Sequence, residues 1–114
     1  LKALTTIAHA QGVHNVFIHA FTDGRDTDPK GGLNYTTDLL AHLKNTTGKL
    51  ATIVGRYYAM DRDKRWERVK LAYDVMVHGV GEKTNDPLAA IRQSYENGVT
   101  DEFIKPIVVV DDAG

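Results

Sequence analysis

The sequence predicts an α/β domain in which helices pack on a parallel-type sheet, with the element order α-β-α-β-α-α-β. Mainly apolar runs at residues 16–21, 50–55 and 107–110 are typical of strands. The first run is nearly continuous, as expected for a strand buried on both faces. Segments with apolar residues at helical spacing separate the runs. Strands that alternate with helices favour parallel pairing through right-handed crossovers.

The first helix is predicted over residues 1–11. Leu4 and Ile7 fall at helical spacing there, and Gly12 suits the position just past the helix end. The strand at 16–21 follows directly. The chain begins with Leu rather than Met and inside this helical pattern, so we expect a piece of a larger protein.

A loop and a second helix follow the first strand. Residues 22–32 carry three aspartates, a proline and three glycines, a composition typical of a loop. Within it, Gly24 suggests a backbone position with positive φ. The next helix is predicted over residues 33–44, with Leu40 and Leu43, together with Leu33, facing the core. The strand at 50–55 comes next.

Two helices are predicted between the second and third strands. The first spans about residues 63–78 and ends near Gly79. We interpret five of its apolar residues as one core-facing stripe: Trp66, Val69, Tyr73, Met76 and Val77. The second begins with Asp86 as the N-cap and Pro87 at the first helical position. Its apolar stripe is Leu88, Ile91 and Tyr95. Pro106 then leads into the third strand.

The composition of the chain argues against several classes of protein. With 114 residues, the chain has the size of a single domain. Its net charge of −1 and pI of about 6.6 argue against a nucleic-acid binder, which usually has a strongly basic face. It has no cysteine, which removes disulfides and thiolate sites and favours a cytoplasmic protein. No apolar run approaches the roughly 20 residues of a membrane span, so we expect no membrane partner.

The charged residues that follow the strands predict a binding site. Ligands of open parallel sheets bind where the strands' carboxyl ends give way to loops. If all three strands run parallel, the loops after Phe21, Gly55 and Val110 meet at one edge of the sheet. The residues that these loops would bring together are Arg25, Asp26, Arg56, Arg62, Asp111 and Asp112.

Three arginines at one edge would form a receptor for a small anion. A guanidinium group binds a phosphate or carboxylate through two parallel hydrogen bonds, so phosphate plus carboxylate is the predicted ligand chemistry of Arg25, Arg56 and Arg62. Asp26 would stay ionised among arginines. It is a candidate acceptor for a substrate hydroxyl and a candidate proton donor or acceptor.

Plainer interpretations stand beside this one. Arg25 could pair only with Asp23 or Asp28 to hold its loop. Residues 61–65 could be a solvated helix entry of alternating charge. The pair at 111–112 could be a strand-end turn.

Other chemistries find little support in the sequence. Ser94, the only serine, lies inside a predicted helix, and nothing suggests a base beside it. The five histidines form no HxxxH or HxH pair, and His19 fits a satisfied residue of the core or rim. We therefore expect no metal site in this chain. The usual dinucleotide and P-loop motifs are absent.

Two motifs resemble a known family. Residues 19–26, HAFTDGRD, resemble the HAFxDGRD signature of cofactor-independent phosphoglycerate mutases. Residues 55–68, GRYYAMDRDKRWER, resemble that family's GRxYAMDRDxRWxR run very closely. The remainder of the chain also fits the family's order, so the resemblance covers essentially all of it.

The resemblance implies an isomerase that interconverts 3-phosphoglycerate and 2-phosphoglycerate in glycolysis and gluconeogenesis. These enzymes have two domains. One binds two divalent metals, often manganese, and carries the serine that is phosphorylated in transit. The other is inserted in the first and binds the glycerate. Residues 1–114 look like a single domain, most of that inserted one. By motif match, Arg25 and Asp26 correspond to the family's substrate-binding pair, and Arg56 and Arg62 to two further substrate arginines.

The family's phosphorylated serine and metal ligands do not occur in this sequence. Neither do the histidine-bearing segment expected before Leu1 and the later arginine pair expected beyond Gly114. The resemblance therefore implies a chain that is inactive alone, needs no cofactor of its own and has the metal-binding domain as its partner. The alternative hypotheses are a non-catalytic regulatory module that binds another anion and a structural domain whose arginines pair internally.

Overall fold

The structure is a computed structural model that describes residues 1–111. Its elements in chain order are α1 (Lys2–Ala10), β1 (Phe17–Thr22), α2 (Gly32–Leu43), β2 (Lys49–Gly55), α3 (Arg56–Ala59), α4 (Trp66–His78), β3 (Glu82–Thr84), α5 (Pro87–Glu96), a 3₁₀ helix (Asp101–Phe103) and β4 (Ile107–Val109). The predicted α/β class is confirmed. All three predicted strands form, within one or two residues of the predicted bounds.

The sheet is mixed, with the strand order β1-β2-β4-β3. β1 and β2 pair in parallel, with Thr22 opposite Gly55 at their carboxyl ends. β3 and β4 also pair in parallel, but β4 runs antiparallel to β2. The prediction of a wholly parallel sheet is therefore wrong for the last strand.

The missed strand β3 explains that error. Two β-α-β units are present, β1-α2-β2 and β3-α5-β4, and each has parallel strands, as the crossover rule requires. The units are joined through α3 and α4 with opposite directions. Without β3, the path from β2 to β4 looks like one long parallel crossover. β3 consists of Glu82, Lys83 and Thr84, and only Thr84 is partly buried, so it carries no apolar signal.

The main core lies between the sheet and the helices α2 and α5. Ile53, Ile91 and Ile104 are fully buried in it. The other buried members of the cluster are Ile18, Leu39, Leu43, Leu50 and Ile107. Leu33 and Leu40 only pack against its border, and Leu39 takes the central place on α2. The predicted capping of α5 is confirmed, because the Asp86 carboxylate accepts a hydrogen bond from the Ala89 amide at 3.1 Å.

The predicted core stripe of α4 is largely wrong. Trp66, Tyr73 and Val77 are 71%, 54% and 55% exposed, whereas Ala72 and Val75 are buried. α4 contacts β2, and its buried residues are the small ones. The face of α4 that is buried therefore carries Ala72 and Val75, and the larger apolar residues lie beside that face. Apolar periodicity located the helix but not the face that is buried.

Candidate anion-binding site

The two motif loops start side by side. Because Thr22 and Gly55 are register partners at the carboxyl ends of parallel strands, residues 23–31 and 56–65 leave the sheet at the same rim. This is the arrangement that the sequence predicted for these two loops.

The third segment at this rim is not the predicted one. Since β4 is antiparallel to β2, its amino-terminal side faces the rim: the Gly55 amide donates to the Ile104 carbonyl at 2.8 Å, and the Thr22 hydroxyl donates to the Asp101 carbonyl at 2.6 Å. Asp111 follows β4 at the opposite end of that strand, so its placement in the site is wrong. Asp112 lies outside the described residues.

Gly55 is required by this close approach. A Cβ atom there would lie 2.3 Å from the Glu102 carbonyl oxygen and 2.7 Å from the Ile104 nitrogen. Both neighbours are backbone atoms and cannot rotate away. The absent side chain thus lets residues 102–104 pack against the start of the second loop.

Arg56 ties the two loops together. One guanidinium nitrogen, Nη1, donates to Asp23 Oδ1 at 2.7 Å and to Asp26 Oδ2 at 2.8 Å. The hydrogen bond from Arg56 is the main cause that lowers the pKa of Asp23, and two backbone hydrogen bonds add to it. In return, the two carboxylates raise the pKa of Arg56. The pair stays ionised over the whole physiological range.

Asp23 also shapes the first loop. Its Oδ1 atom accepts hydrogen bonds from the amides of Arg25 and Asp26, both at 3.1 Å. Gly24 between them has a φ of 67°, which confirms the predicted positive φ. The Arg25 side chain does not pair with Asp23 or Asp28; its Nη1 atom lies 3.5 Å from Glu102 Oε1, and the side chain is 64% exposed. The plainer interpretation of Arg25 is therefore wrong.

Arg62 has free donors. Within residues 1–111 it makes no ion pair and no side-chain hydrogen bond. Its turn is held by Asp61, whose side chain is 2% exposed and accepts from the Arg65 amide at 2.8 Å and from Arg68 Nη1 at 3.1 Å. Residues 62–65 are exposed, as a solvated helix entry would be, but Asp61 is not.

Arg25, Arg56 and Arg62 line one cleft of about 230 Å³. Asp26 borders it through its bond to Arg56. The remaining lining residues are Tyr57, Met60, Asp61, Asp63, Arg68, Glu102 and Phe103. The structure thus brings the four predicted residues together, with Arg56 bound by acids and the guanidinium groups of Arg25 and Arg62 available to a ligand.

Aromatic rings support the cleft. The Arg68 guanidinium carbon lies 4.0 Å from the centroid of the Tyr57 ring, and Phe103 packs against the same ring at 5.0 Å between centroids. Tyr58 meets Tyr57 edge-on. Burial, followed by the neighbouring Tyr57, raises the pKa of Tyr58, so its hydroxyl stays protonated. This packing joins α3, α4 and the 3₁₀ helix beneath the arginines.

A larger cavity of about 370 Å³ lies on another side of the first motif loop, between the start of α1, β1 and α2, with Asp23 and Asp101 in its lining. Its lining is mainly apolar and contains none of the four predicted residues. The smaller cleft, where cationic groups converge, is therefore the candidate anion site.

Sequence reasoning missed Glu102, Phe103 and Arg68. Arg68 lies within the second motif, so the motif could have identified it as a residue of the cleft. Glu102 and Phe103 precede the last strand and reach the rim only because that strand is antiparallel. No local signal marked them.

No metal ligands gather in this part of the molecule. Among residues 1–111, no group of three His, Asp or Glu side chains could hold an ion. His19 Nδ1 instead lies 2.9 Å from the Thr52 hydroxyl, so this ring nitrogen is satisfied, as expected; the residue lies within β1 and is exposed. None of the described helices is long and apolar enough to cross a bilayer.

Fold and cleft together define the class: an α/β domain whose arginine-rich loops line a candidate anion-binding cleft where two parallel strands end. All 114 residues match the family described as BPG-independent PGAM N-terminus (iPGM_N), and the chain belongs to that family.

Similar proteins agree with this assignment. A 2,3-bisphosphoglycerate-independent phosphoglycerate mutase of Flavobacterium johnsoniae is 56% identical over 112 residues, which cover 98% of this chain and 22% of that protein. The protein of the same name from Bacteroides thetaiotaomicron is 59% identical over 108 residues, covering 95% and 21%. A crystal structure of Leishmania mexicana phosphoglycerate mutase at low cobalt concentration superposes with a TM-score of 0.91 and 27% identity, covering 98% of this chain and 22% of that one. This chain thus spans only 21–22% of the length of these relatives.

Proposed function

We propose that residues 1–114 form most of the substrate-binding domain of a 2,3-bisphosphoglycerate-independent phosphoglycerate mutase, an isomerase that interconverts 3-phosphoglycerate and 2-phosphoglycerate. The observation that supports this most directly is the convergence of Arg25, Arg56 and Arg62, from two loops, on one cleft. The names of the relatives give the substrate class.

The cleft suits a phosphorylated three-carbon acid. Arg25 and Arg62 offer guanidinium groups for the two anionic ends of the ligand, its phosphate and its carboxylate. Arg56 holds the Asp26 carboxylate by one oxygen, and the side chain of Asp26 is 75% exposed. The second oxygen of Asp26 is free to accept a hydrogen bond from the glycerate hydroxyl. Asp26 is accordingly the candidate acid/base of this domain.

The remainder of the mutase would complete the chemistry. Phosphoryl transfer depends mainly on positioning and electrostatic stabilisation. In this proposal a metal-binding domain of the same polypeptide holds two divalent ions, manganese by family resemblance, and the serine that carries the phosphoryl group. This domain holds the glycerate meanwhile. Closure of one domain on the other would exclude water that otherwise hydrolyses the phosphoserine.

Calorimetric titration of the chain tests the proposal. We expect 3-phosphoglycerate and 2-phosphoglycerate to bind more tightly than inorganic phosphate or a plain dicarboxylate, because only they present phosphate, carboxylate and hydroxyl together. The chain alone, supplied with manganese, should show no mutase turnover. Equal affinity for all anions would favour the regulatory module instead, and turnover by the isolated chain would contradict the division of labour.

A further inference from the structure

Asp101 carries a buried carboxylate outside the cleft. The residue is 1% exposed, and within residues 1–111 it forms no ion pair. Its Oδ2 atom accepts from the Gly32 amide at 2.6 Å, and its Oδ1 atom accepts from the Tyr95 hydroxyl. A buried carboxylate without these donors would be strongly unfavourable. Both oxygens are therefore satisfied, one by the beginning of α2 and one by a tyrosine.

Asp101 and Tyr95 together cap α2. The Tyr95 hydroxyl donates to Asp101 and accepts from the Leu33 amide at 3.3 Å, so the two side chains satisfy the amides of Gly32 and Leu33. A carboxylate at a helix amino terminus also interacts favourably with the helix dipole. Burial, and then the bond to Asp101, raise the pKa of Tyr95, which keeps the hydroxyl protonated as a donor.

The backbone of Asp101 binds both ends of the first motif loop. Its carbonyl accepts from the Thr22 hydroxyl at 2.6 Å, just before the loop, and its amide donates to the Pro29 carbonyl at 2.9 Å, near the loop's end. The loop between these contacts carries Arg25 and Asp26. The backbone of one residue, Asp101, thus connects the two ends of the loop.

Close packing makes this contact specific. A Cβ atom on Gly24 would lie 2.8 Å from the Cβ atom of Asp101, and one on Gly32 would lie 2.8 Å from both carboxylate oxygens. Glycine thus stands within the loop, at Gly24, and directly after it, at Gly32, where the backbone approaches the Asp101 side chain. No side chain separates Asp101 from the loop backbone there.

We propose that Asp101, with Tyr95, is a positioning residue of the phosphoglycerate site: it holds residues 23–31 so that Arg25 and Asp26 face the cleft. Asp101 does not line the cleft and acts through those two residues. This inference rests on the proposed function for its ligand. The ordering of the loop can be measured without any ligand.

The test is Asp101→Asn in a full-length mutase that carries this sequence. Asparagine keeps the volume and one acceptor oxygen but turns an amide group toward one of the two donors. We expect KM for 3-phosphoglycerate to rise about tenfold, with kcat changed less than about threefold, since a misplaced loop weakens binding first. Hydrogen exchange of residues 23–31 should accelerate about tenfold while that of β2 stays unchanged. Tyr95→Phe should act in the same direction, more weakly.

Asp86→Ala is the matched control. It also removes an aspartate cap, on α5, but Asp86 bonds to Ala89 and not to the motif loop. It should lower thermal stability and leave both KM and loop exchange as in the wild type.

Every outcome of these measurements either supports the inference or overturns it. Unchanged loop exchange in Asp101→Asn and Tyr95→Phe overturns the inference, as does acceleration that is equal in the loop and in β2. Faster loop exchange with an unchanged KM reduces Asp101 to a structural role and also overturns it. If Asp101→Asn does not fold, Tyr95→Phe carries the same measurements. A wild-type protein that does not use phosphoglycerate contradicts the proposed function, and the exchange data alone then decide whether Asp101 orders the loop.

Discussion

Arg56 and Asp23 form an ion pair across the two motif loops, with 2.7 Å between Nη1 and Oδ1. Their strands end as register neighbours, so this bond connects loops that are 33 positions apart in the chain. The same Asp23 oxygen accepts the amides of Arg25 and Asp26. One carboxylate thus shapes the first loop and fastens it to the second. Within the part of the chain that the structure describes, Arg25 pairs only with Glu102, at 3.5 Å, and its side chain is 64% exposed.

The lowered pKa of Asp23 predicts how this bond responds to acid. Because the folded pKa lies below the ordinary value of 3.8, the stabilisation is present above that value and is lost as pH falls through the folded pKa. Asp23→Asn should therefore be less stable than the wild type near neutral pH, and this difference should shrink as the pH falls below 3.8 and through the folded pKa of Asp23. Urea unfolding of both proteins across this range measures it. A difference that persists unchanged in acid would contradict the assignment to Asp23.

Arg62→Ala should lower kcat/KM of the full-length mutase sharply, by about 100-fold, because a charged hydrogen bond shielded from water contributes roughly 1.5–3 kcal/mol. Its metal content should not change, since Arg62 lies in a cleft without metal ligands among the described residues. Steady-state kinetics and elemental analysis give the two readouts. Arg92→Ala, on the exposed side of α5, is the control and should behave as the wild type. Equal activity of Arg62→Ala would remove that residue from the site.

Gly55→Ala should destabilise the chain by about 1–3 kcal/mol, because its Cβ atom collides with the backbone of residues 102–104. It should also weaken phosphoglycerate binding, since Arg56 follows directly and Glu102 lines the cleft. Gly79→Ala makes a useful comparison: its Cβ atom meets nothing, and only its φ of 63° is strained. That variant should lose stability, by roughly 1–2 kcal/mol, with unchanged binding. Thermal unfolding and calorimetry separate the two effects.

Two ion pairs formed by residues of α4 should contribute different amounts to the free energy of unfolding. Arg68→Met should reduce the free energy of unfolding by about 2–3 kcal/mol, because it leaves the Asp61 carboxylate, 2% exposed, without its cation. Lys70→Met breaks a shorter pair, 2.6 Å from Asp74, but Lys70 is 73% exposed, so we expect a loss below about 0.5 kcal/mol. Denaturant unfolding measures both. Similar losses in the two variants would show that burial does not control these pairs.

Much of the site followed from local patterns. The apolar run before each motif predicted β1 and β2, and parallel pairing through one helix predicted that their loops share a rim. Arg25, Asp26, Arg56 and Arg62 were placed there correctly in space; their role in binding phosphoglycerate stays a prediction. The N-cap that Asp86 forms on α5 was also predictable, because Asp86 and the proline directly after it are a local signal for a helix start. These features depend on neighbours in sequence or on one crossover.

The errors arose where distant segments compete. β3 has only polar residues and lies at the edge of the sheet, so its pairing with β4 is a matter of backbone hydrogen bonds that leave no apolar pattern. The buried face of α4, which carries Ala72 and Val75, is set by contacts with segments elsewhere in the fold, among them β2. Periodicity alone favoured the larger residues beside them.

By itself the sequence determined the α/β class, the two motif loops and the family, because strand signals, helix caps and motif residues are encoded locally. Only the tertiary structure decided that β4 enters the sheet from the rim. That direction brings Asp101 to the ends of the first motif loop and Glu102 to Arg25, and it carries Asp111 away from the arginines. The physical reason is that strand direction depends on which segments, far apart in the chain, bury their apolar faces and satisfy their backbone hydrogen bonds together.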